Sequence, residues 1–391
     1  MTIVILIVAI VLFVSLIIIH EAGHFLVARR NGVDAEEFAI FFGPAIYKRK
    51  TKKGTLFKVN SIPLGGYVKL KGEHDSDVEP GSYGAASLWV KTKIMLAGVF
   101  SNLIAGLVLL IILALVGLPK IIPNQFSVNS DAHIVKRQTS IVEVSQVISG
   151  SPAAKAGLKS GDEIIALGPK NDIKKITSPQ ILQSVTELFA GKKVIVDLKR
   201  NNVSLEKTVT LNTTAQANAA KQKVYLGVSI GSYFSGVTLV RYTWSAPIVA
   251  LGLTKQIVVL SYQGLSQAVK GLGGIIAGAV TNNNSARKHA QTAASSQVVG
   301  PVGIFVILKD GSAVGIRFML FIIALISLTL AIMNVLPIPA LDGGRLWLTL
   351  ISRAIRKPMT AGTEELVNAI GMLVLIFLVS LITYVDIKRF F

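Results

Sequence analysis

The segment Ile3–Ile19 is apolar except at Ser15 and runs directly into His20-Glu21-Ala22-Gly23-His24. An apolar stretch of this length matches the hydrocarbon core of a bilayer, where a lone segment must be helical to satisfy its own backbone. Two histidines four residues apart lie on one helix face about a turn apart, the spacing that lets both imidazoles reach one Zn²⁺. Glu21 lies between them, placed to take a proton from an attacking water. Each ionisable group inside a membrane helix costs about 2.5–3.5 kcal/mol on insertion scales, so this cluster calls for a compensating partner, and a metal ion is the obvious one. No basic stretch precedes the segment and no small-residue cleavage site follows it, so it reads as retained rather than as a signal peptide.

The rest of the chain has the same character. Hydrophobic residues make up 51% of 391, the mean hydropathy is +0.60, and further apolar runs cover 94–118, 314–341 (densest over 318–341) and 366–388. With 1–28 as the first, these give about four transmembrane helices and leave room for one domain outside the bilayer. The net charge of +19 does not point to nucleic acid here, because basic loops flank the membrane spans. Loop 29–93 carries twelve Lys and Arg residues, and Arg345, Arg353, Arg356 and Lys357 precede the last span. Basic connections mark the cytoplasmic side, so both loops are expected inside, and the N-terminus and the long 119–313 segment outside. Lys388 and Arg389 run against the rule. Anionic lipid is the expected partner of the basic loops. The absence of cysteine rules out disulfides and thiolate ligands, leaving nitrogen and oxygen donors. His74, His133 and His289 lie in polar loops and read as solvated.

A third ligand is suggested by the end of the 314–341 run, Asn334-Val-Leu-Pro-Ile-Pro-Ala-Leu-Asp342-Gly-Gly-Arg345. Two prolines break the helical ladder and the glycine pair permits a tight turn. Irregular backbone at membrane depth is tolerated only where it is buried in protein or lines a wet cavity. Asp342 and the two histidines are expected at the same cytoplasmic depth, so one carboxylate and two imidazoles can meet and leave a fourth position for water. Pairing of Asp342 with Arg345 at the headgroups is the alternative.

His-Glu-x-x-His in a first membrane helix with Asn-x-x-Pro-x-Pro-x-Leu-Asp-Gly-Gly in a later one resembles the site-2 proteases, intramembrane zinc metallopeptidases. Gly98-x-x-x-Asn102, Ile62-Pro-Leu-Gly65-Gly66-Tyr67-Val68-Lys-Leu70 and Gly300-Pro-Val-Gly303 extend the resemblance, which is closest to the bacterial members with an extracytoplasmic PDZ region. It implies one zinc per chain held by His20, His24 and Asp342, with Glu21 as general base. It also implies substrate or transition-state contacts from Asn102 and Asn334, and from Gly65, Gly66, Tyr67 and Val68 in a membrane-associated β-hairpin at about 57–71. Interhelical hydrogen bonding is the competing role for the two asparagines.

Over 135–230 the periodicity changes to short strands and turns. Strands are expected at Ile141–Ile148, Glu163–Leu167, Lys193–Lys199, Val203–Leu211 and Val224–Ile230. Helices are expected to open at Ser151-Pro152 and Ser178-Pro179 and to stop at Gly157 and near Gly191. Asn201-Asn202 is the expected hairpin turn. The segment Ser151–Ile165 resembles the core of PDZ domains in bacterial proteases, in a single copy and without a clear carboxylate-binding loop. Within 231–313, Trp244–Val280 reads as an interfacial amphipathic helix, since a fifth span would put Asp342 opposite the histidines. Asn282–Gln297 reads as a mobile linker.

The sequence therefore predicts a polytopic α-helical membrane protein with an inserted α+β PDZ-like domain and a membrane-associated hairpin. The predicted activity is zinc-dependent hydrolysis of transmembrane segments in single-pass proteins at the cytoplasmic face of a plasma or inner membrane. By resemblance, the substrates are anti-sigma factors or signal-peptide remnants. A catalytically idle PDZ-bearing receptor and a metal transporter are the rival readings.

Overall fold

The computed structural model describes residues 2–52, 54–73, 77–136, 142–201, 203–219, 224–231, 237–280, 300–356 and 360–390. They form two compact units, one made of 1–133 with 241–391 and the other of 134–240. His74, His289, Asn202 and the 282–297 linker lie outside the described residues.

In the first unit, helix α1 (Thr2–Arg30) carries the His-Glu-x-x-His motif, and helix α2 (Leu88–Val116) packs against it. Small residues let the two backbones approach where lipid gives no hydrophobic drive to associate. A Cβ on Gly23 of α1 would sit 2.7 Å from the Ala97 carbonyl oxygen of α2. The expected 94–118 span is the C-terminal part of α2, which begins earlier because Ser87 caps it by accepting the Val90 N–H.

The expected third span ends sooner than the hydropathy run does. Its helix is Ile316–Val335, the chain turns over 336–341, and a second helix, Asp342–Ala354, begins at the carboxylate. Pro337 and Pro339 stop the first helix, and Ala340 turns the chain with φ +74°. Both glycines that follow are pressed on backbone: a Cβ on Gly343 would meet the Val335 carbonyl oxygen at 2.6 Å, and one on Gly344 the Pro339 Cα at 2.8 Å.

Among the described residues five helices are long and apolar enough to cross a membrane, against the four expected; the additional one is Ala246–Ala268. That window has a mean hydropathy of 1.3, against 2.5–3.3 for the other four. Its helix starts on buried Asp131, which accepts hydrogen bonds from the main-chain N–H groups of Thr243 and Ser245 and from both hydroxyls. Burial opposes ionisation of Asp131, but these bonds hold its carboxyl below the usual carboxylate range. The last helix, Ala361–Phe390, brings a buried carboxylate that local sequence did not flag. Asp386 accepts the N–H groups of Gly300 (2.9 Å) and Gly303 (2.8 Å) and so caps the helix Pro301–Val314.

The hairpin is larger than 57–71. Strand β1 (Ala35–Lys50) precedes β2 (Leu56–Leu70), and each folds on itself. Residues 66–70 pair with 35–40, which pair on their other side with 56–59, which in turn pair with 47–50. The bend in β1 falls where Phe41 and Gly43 have φ of +71° and +87°. Stacked and edge-on rings of Phe25, Phe38 and Phe57, 5.2–5.7 Å apart, fix the sheet on α1. Residues 66–70 form an outer edge.

The second unit carries a six-stranded antiparallel sheet, with the order 228–231, 142–147, 163–168, 193–200, 203–210 and the short strand Lys174–Lys175 paired off this path to 166–167. Ser151 and Ser178 cap the helices Pro152–Lys155 and Pro179–Leu188 by accepting the N–H of Ala154 and of Ile181. Asp162 is fully buried and bound by Arg200 through Nε (2.6 Å) and Nη2 (2.8 Å).

Candidate metal and active site

His20 and His24 point from the C-terminal half of α1 toward the start of the Asp342–Ala354 helix. His20 Nε2 lies 3.0 Å and His24 Nε2 3.1 Å from Asp342 Oδ2, and the two Nε2 atoms are 3.2 Å apart. A tetrahedral zinc with ~2.0–2.1 Å bonds has ligand–ligand edges of ~3.3–3.4 Å. The three atoms form a nearly equilateral face of that size, so the residues fit the ion. Asp342 opens its helix, where the unpaired N–H groups and the helix dipole favour a carboxylate. Arg345 turns instead to Glu73 and Glu364.

The imidazoles are oriented from behind. His24 is 7% exposed, and its Nδ1 lies 2.7 Å from the Ile94 carbonyl oxygen of α2. That oxygen can only accept, so Nδ1 carries the proton and Nε2 is free to ligate. His20 Nδ1 faces the Asn102 amide at 3.4 Å, and the Asn102 main-chain oxygen is fixed by Ser327 at 2.7 Å. With His20 Nε2 turned to a metal, Nδ1 must donate. The amide therefore presents its oxygen, the 180° alternative to the placement that leaves Asn102 Oδ1 buried without a partner. Gly98 is the floor of the site: a Cβ there would lie 2.5 Å from His20 Cε1 and closer still to His24 Nε2.

Glu21, His20, His24 and Asp342 open on one cleft of about 350 Å³. Gly65, Gly66, Tyr67, Val68 and Leu70 line one wall, and Asn102, Leu330, Asn334 and Arg345 line others. A Cβ on Gly66 would come 3.2 Å from Glu21 Cγ, so the absence of a side chain there leaves room for the base. The Val68 main-chain N–H faces the Glu21 carboxylate, and the Tyr67 hydroxyl is tied to Glu37 at 3.0 Å. The sequence-predicted residues thus meet in one place. His133 lies apart, exposed at the start of the short strand His133–Lys136 rather than in a loop, and 3.5 Å from Asp131. Sequence reasoning missed Ile94, Ser327 and the Glu73–Arg345 contact. Each acts through backbone or at long separation, and only the Gly98-x-x-x-Asn102 spacing offered a signal.

Two imidazoles and a carboxylate that could hold a metal, with a glutamate beside them in the same cleft, are the makings of a metallopeptidase-type centre. Residues 8–378 match peptidase family M50, and the chain belongs to that family; it is a multi-pass membrane peptidase. It is 31% identical over 387 residues to a candidate zinc metalloprotease of Clostridium perfringens, covering 97% of each chain. A candidate zinc metalloprotease of Campylobacter jejuni is 31% identical over 97% of this chain and 93% of its own. The zinc metalloprotease RasP of Geobacillus kaustophilus is 26% identical over 98% and 97%.

Proposed function

We propose that this peptidase uses one zinc, held by His20, His24 and Asp342, to hydrolyse transmembrane segments of single-pass proteins at the cytoplasmic face of the bacterial membrane. The observation that carries the reading is the convergence of those three ligand atoms with Glu21 in a cleft walled by an open strand edge. Zinc, when bound, acidifies a water and polarises the scissile carbonyl. Glu21 takes the proton of the attacking water and hands it to the leaving amine. Asn334, on the last turn of its helix, is the side chain that donates to the developing oxyanion, while Asn102 positions His20.

A helical substrate shields its carbonyls in i→i−4 bonds, so the cut requires an extended peptide. The edge at 66–70 offers main-chain partners for such a peptide, with little demand on its sequence. The basic loops support four spans with the cleft facing the cytoplasm, and the Ala246–Val280 helix lying at the outer interface. Gln256 supports that placement, since its amide is engaged by Phe126 N–H and the Pro123 and Asn124 carbonyls in the loop after α2. Unit 134–240 is read as an extracytoplasmic PDZ domain that filters substrates by size. Anti-sigma factors and signal-peptide remnants are the substrate classes in view.

The test is cleavage of a model single-pass protein by the purified enzyme in vesicles. Wild type should cut within the apolar segment, a chelator should stop it, and Glu21→Gln should retain zinc and lose about 10²–10⁴-fold in rate. Undiminished cleavage by Glu21→Gln would overturn the assignment.

A further inference from the structure

Residues two apart in a strand direct their N–H groups to the same edge. On the outer edge of β2 the Val68 N–H faces Glu21, so the Leu70 N–H also points outward. It is already taken: Leu70 N–H donates to Glu73 Oε1 at 2.8 Å. Glu73 is itself anchored across the fold. Arg345, in the first turn of the helix that Asp342 opens, donates through Nη2 to the Glu73 main-chain oxygen at 2.8 Å, and its Nη1 lies 3.5 Å from Oε2. The guanidinium is held in turn by Glu364 at 3.8 Å and by the Tyr83 ring, 5.3 Å below it.

Resting on the strand-pairing reading above, we propose that Glu73, held by Arg345, is an internal stop on the substrate edge. Its carboxylate stands where the carbonyl of an added strand would otherwise bond. The pairing edge therefore ends at Val68, beside Glu21 and the ligands, and the peptide has one register in which to lie. Strand register slips in steps of two if side chains are to keep their faces. Freeing the Leu70 N–H lengthens the edge by one such step and admits a second register, with its scissile bond two residues away. Arg345 and Glu73 are positioning residues: neither touches the reacting atoms, and together they decide which bond is presented.

The experiment maps cleavage sites by intact-mass spectrometry of products from a model transmembrane substrate, using the full-length enzyme in vesicles and zinc analysis of each variant. Wild type should cut one main bond. Glu73→Ala should keep wild-type zinc and add a second cut two residues from the first. Arg345→Met, which releases Glu73 from the other side, should add the same second cut. Glu73→Gln retains an acceptor for the Leu70 N–H and should restore the single cut, a rescue that a merely structural role would not produce. A single unchanged bond in Glu73→Ala and Arg345→Met overturns the stop. A substrate carrying a backbone ester in place of the amide N–H that would pair with the Val68 carbonyl separates this failure from that of the parent reading, and leaves Glu21 untouched. If the ester slows cleavage while the Glu73 and Arg345 variants keep one bond, strand pairing stands and the stop is wrong. An ester substrate cut at the rate of the amide substrate removes both.

Discussion

Gly98→Ala is the smallest change that should dismantle the centre without altering any ligand. The added methyl would lie 2.5 Å from His20 Cε1 and 2.7 Å from His20 Nδ1, and closer than either to His24 Nε2. Ordinary contact begins at 3.4 Å, so the imidazoles must yield by close to an ångström. The helices cannot take up that shift, because Gly23 of α1 already rests on the Ala97 backbone of α2, one residue away from Gly98. Metal sites hold ligand distances to within about 0.2 Å, and a ~1 Å misplacement at a reacting centre costs ~10²-fold in rate. Gly98→Ala should therefore fold and insert normally, lose zinc during purification at free-zinc levels that wild type tolerates, and cleave at least ~10²-fold more slowly. Zinc content and cleavage rate in one preparation are the assay. A variant with full zinc and wild-type cleavage would show that the imidazoles do not sit against α2, and the geometric account would fail.

Two further perturbations separate the roles assigned to buried polar groups. Asn102→Ala leaves His20 Nδ1 without its acceptor and should weaken zinc binding or activity by ~10–100-fold; unchanged zinc affinity in a buffered titration would return Asn102 to a packing role. Asp162→Asn removes the partner of Arg200 in the second unit and should destabilise that unit by about 2–4 kcal/mol, below the range for fully buried pairs because the Arg200 side chain is 25% exposed. Burial opposes ionisation of Asp162, but Arg200 and the Lys159 N–H hold its carboxyl below the usual range. Its stabilisation is thus complete above the unfolded value of ~3.9 and lost as pH falls through the lower folded value. Protease resistance of residues 134–240 in the intact protein, followed against pH, should show this acid loss in wild type and not in Asp162→Asn; identical profiles would refute it.

The cluster that could hold a metal was legible because a bilayer makes ionisable residues conspicuous: His20, His24 and Asp342, with Glu21 beside them, stand out against apolar spans. The caps at Ser151 and Ser178 were equally plain, since an N-cap is written in residues next to the helix it starts. The first half of the hairpin was hidden. Strand 35–50 contains Gly43-Pro44 and a positive-φ Phe41, which interrupt the alternation that marks a strand. The helix from Asp342 was masked by the glycine pair, which reads as a turn when nothing shows that Gly343 is pressed on the Val335–Leu336 backbone and Gly344 on that of Ile338–Pro339. Glu73 with Arg345, and Asp386 with Gly300 and Gly303, join segments 272 and 83–86 residues apart. No local periodicity reports such contacts, and only the fold brings them together.

Zinc stoichiometry in purified wild type, Glu21→Gln and Asp342→Ala tests the proposed ligands outright. One zinc per chain is expected in wild type and in Glu21→Gln, and a loss in Asp342→Ala as deep as in His24→Ala, because the remaining imidazoles bring no negative charge to the ion. Full zinc in Asp342→Ala would contradict that assignment and place the third ligand elsewhere.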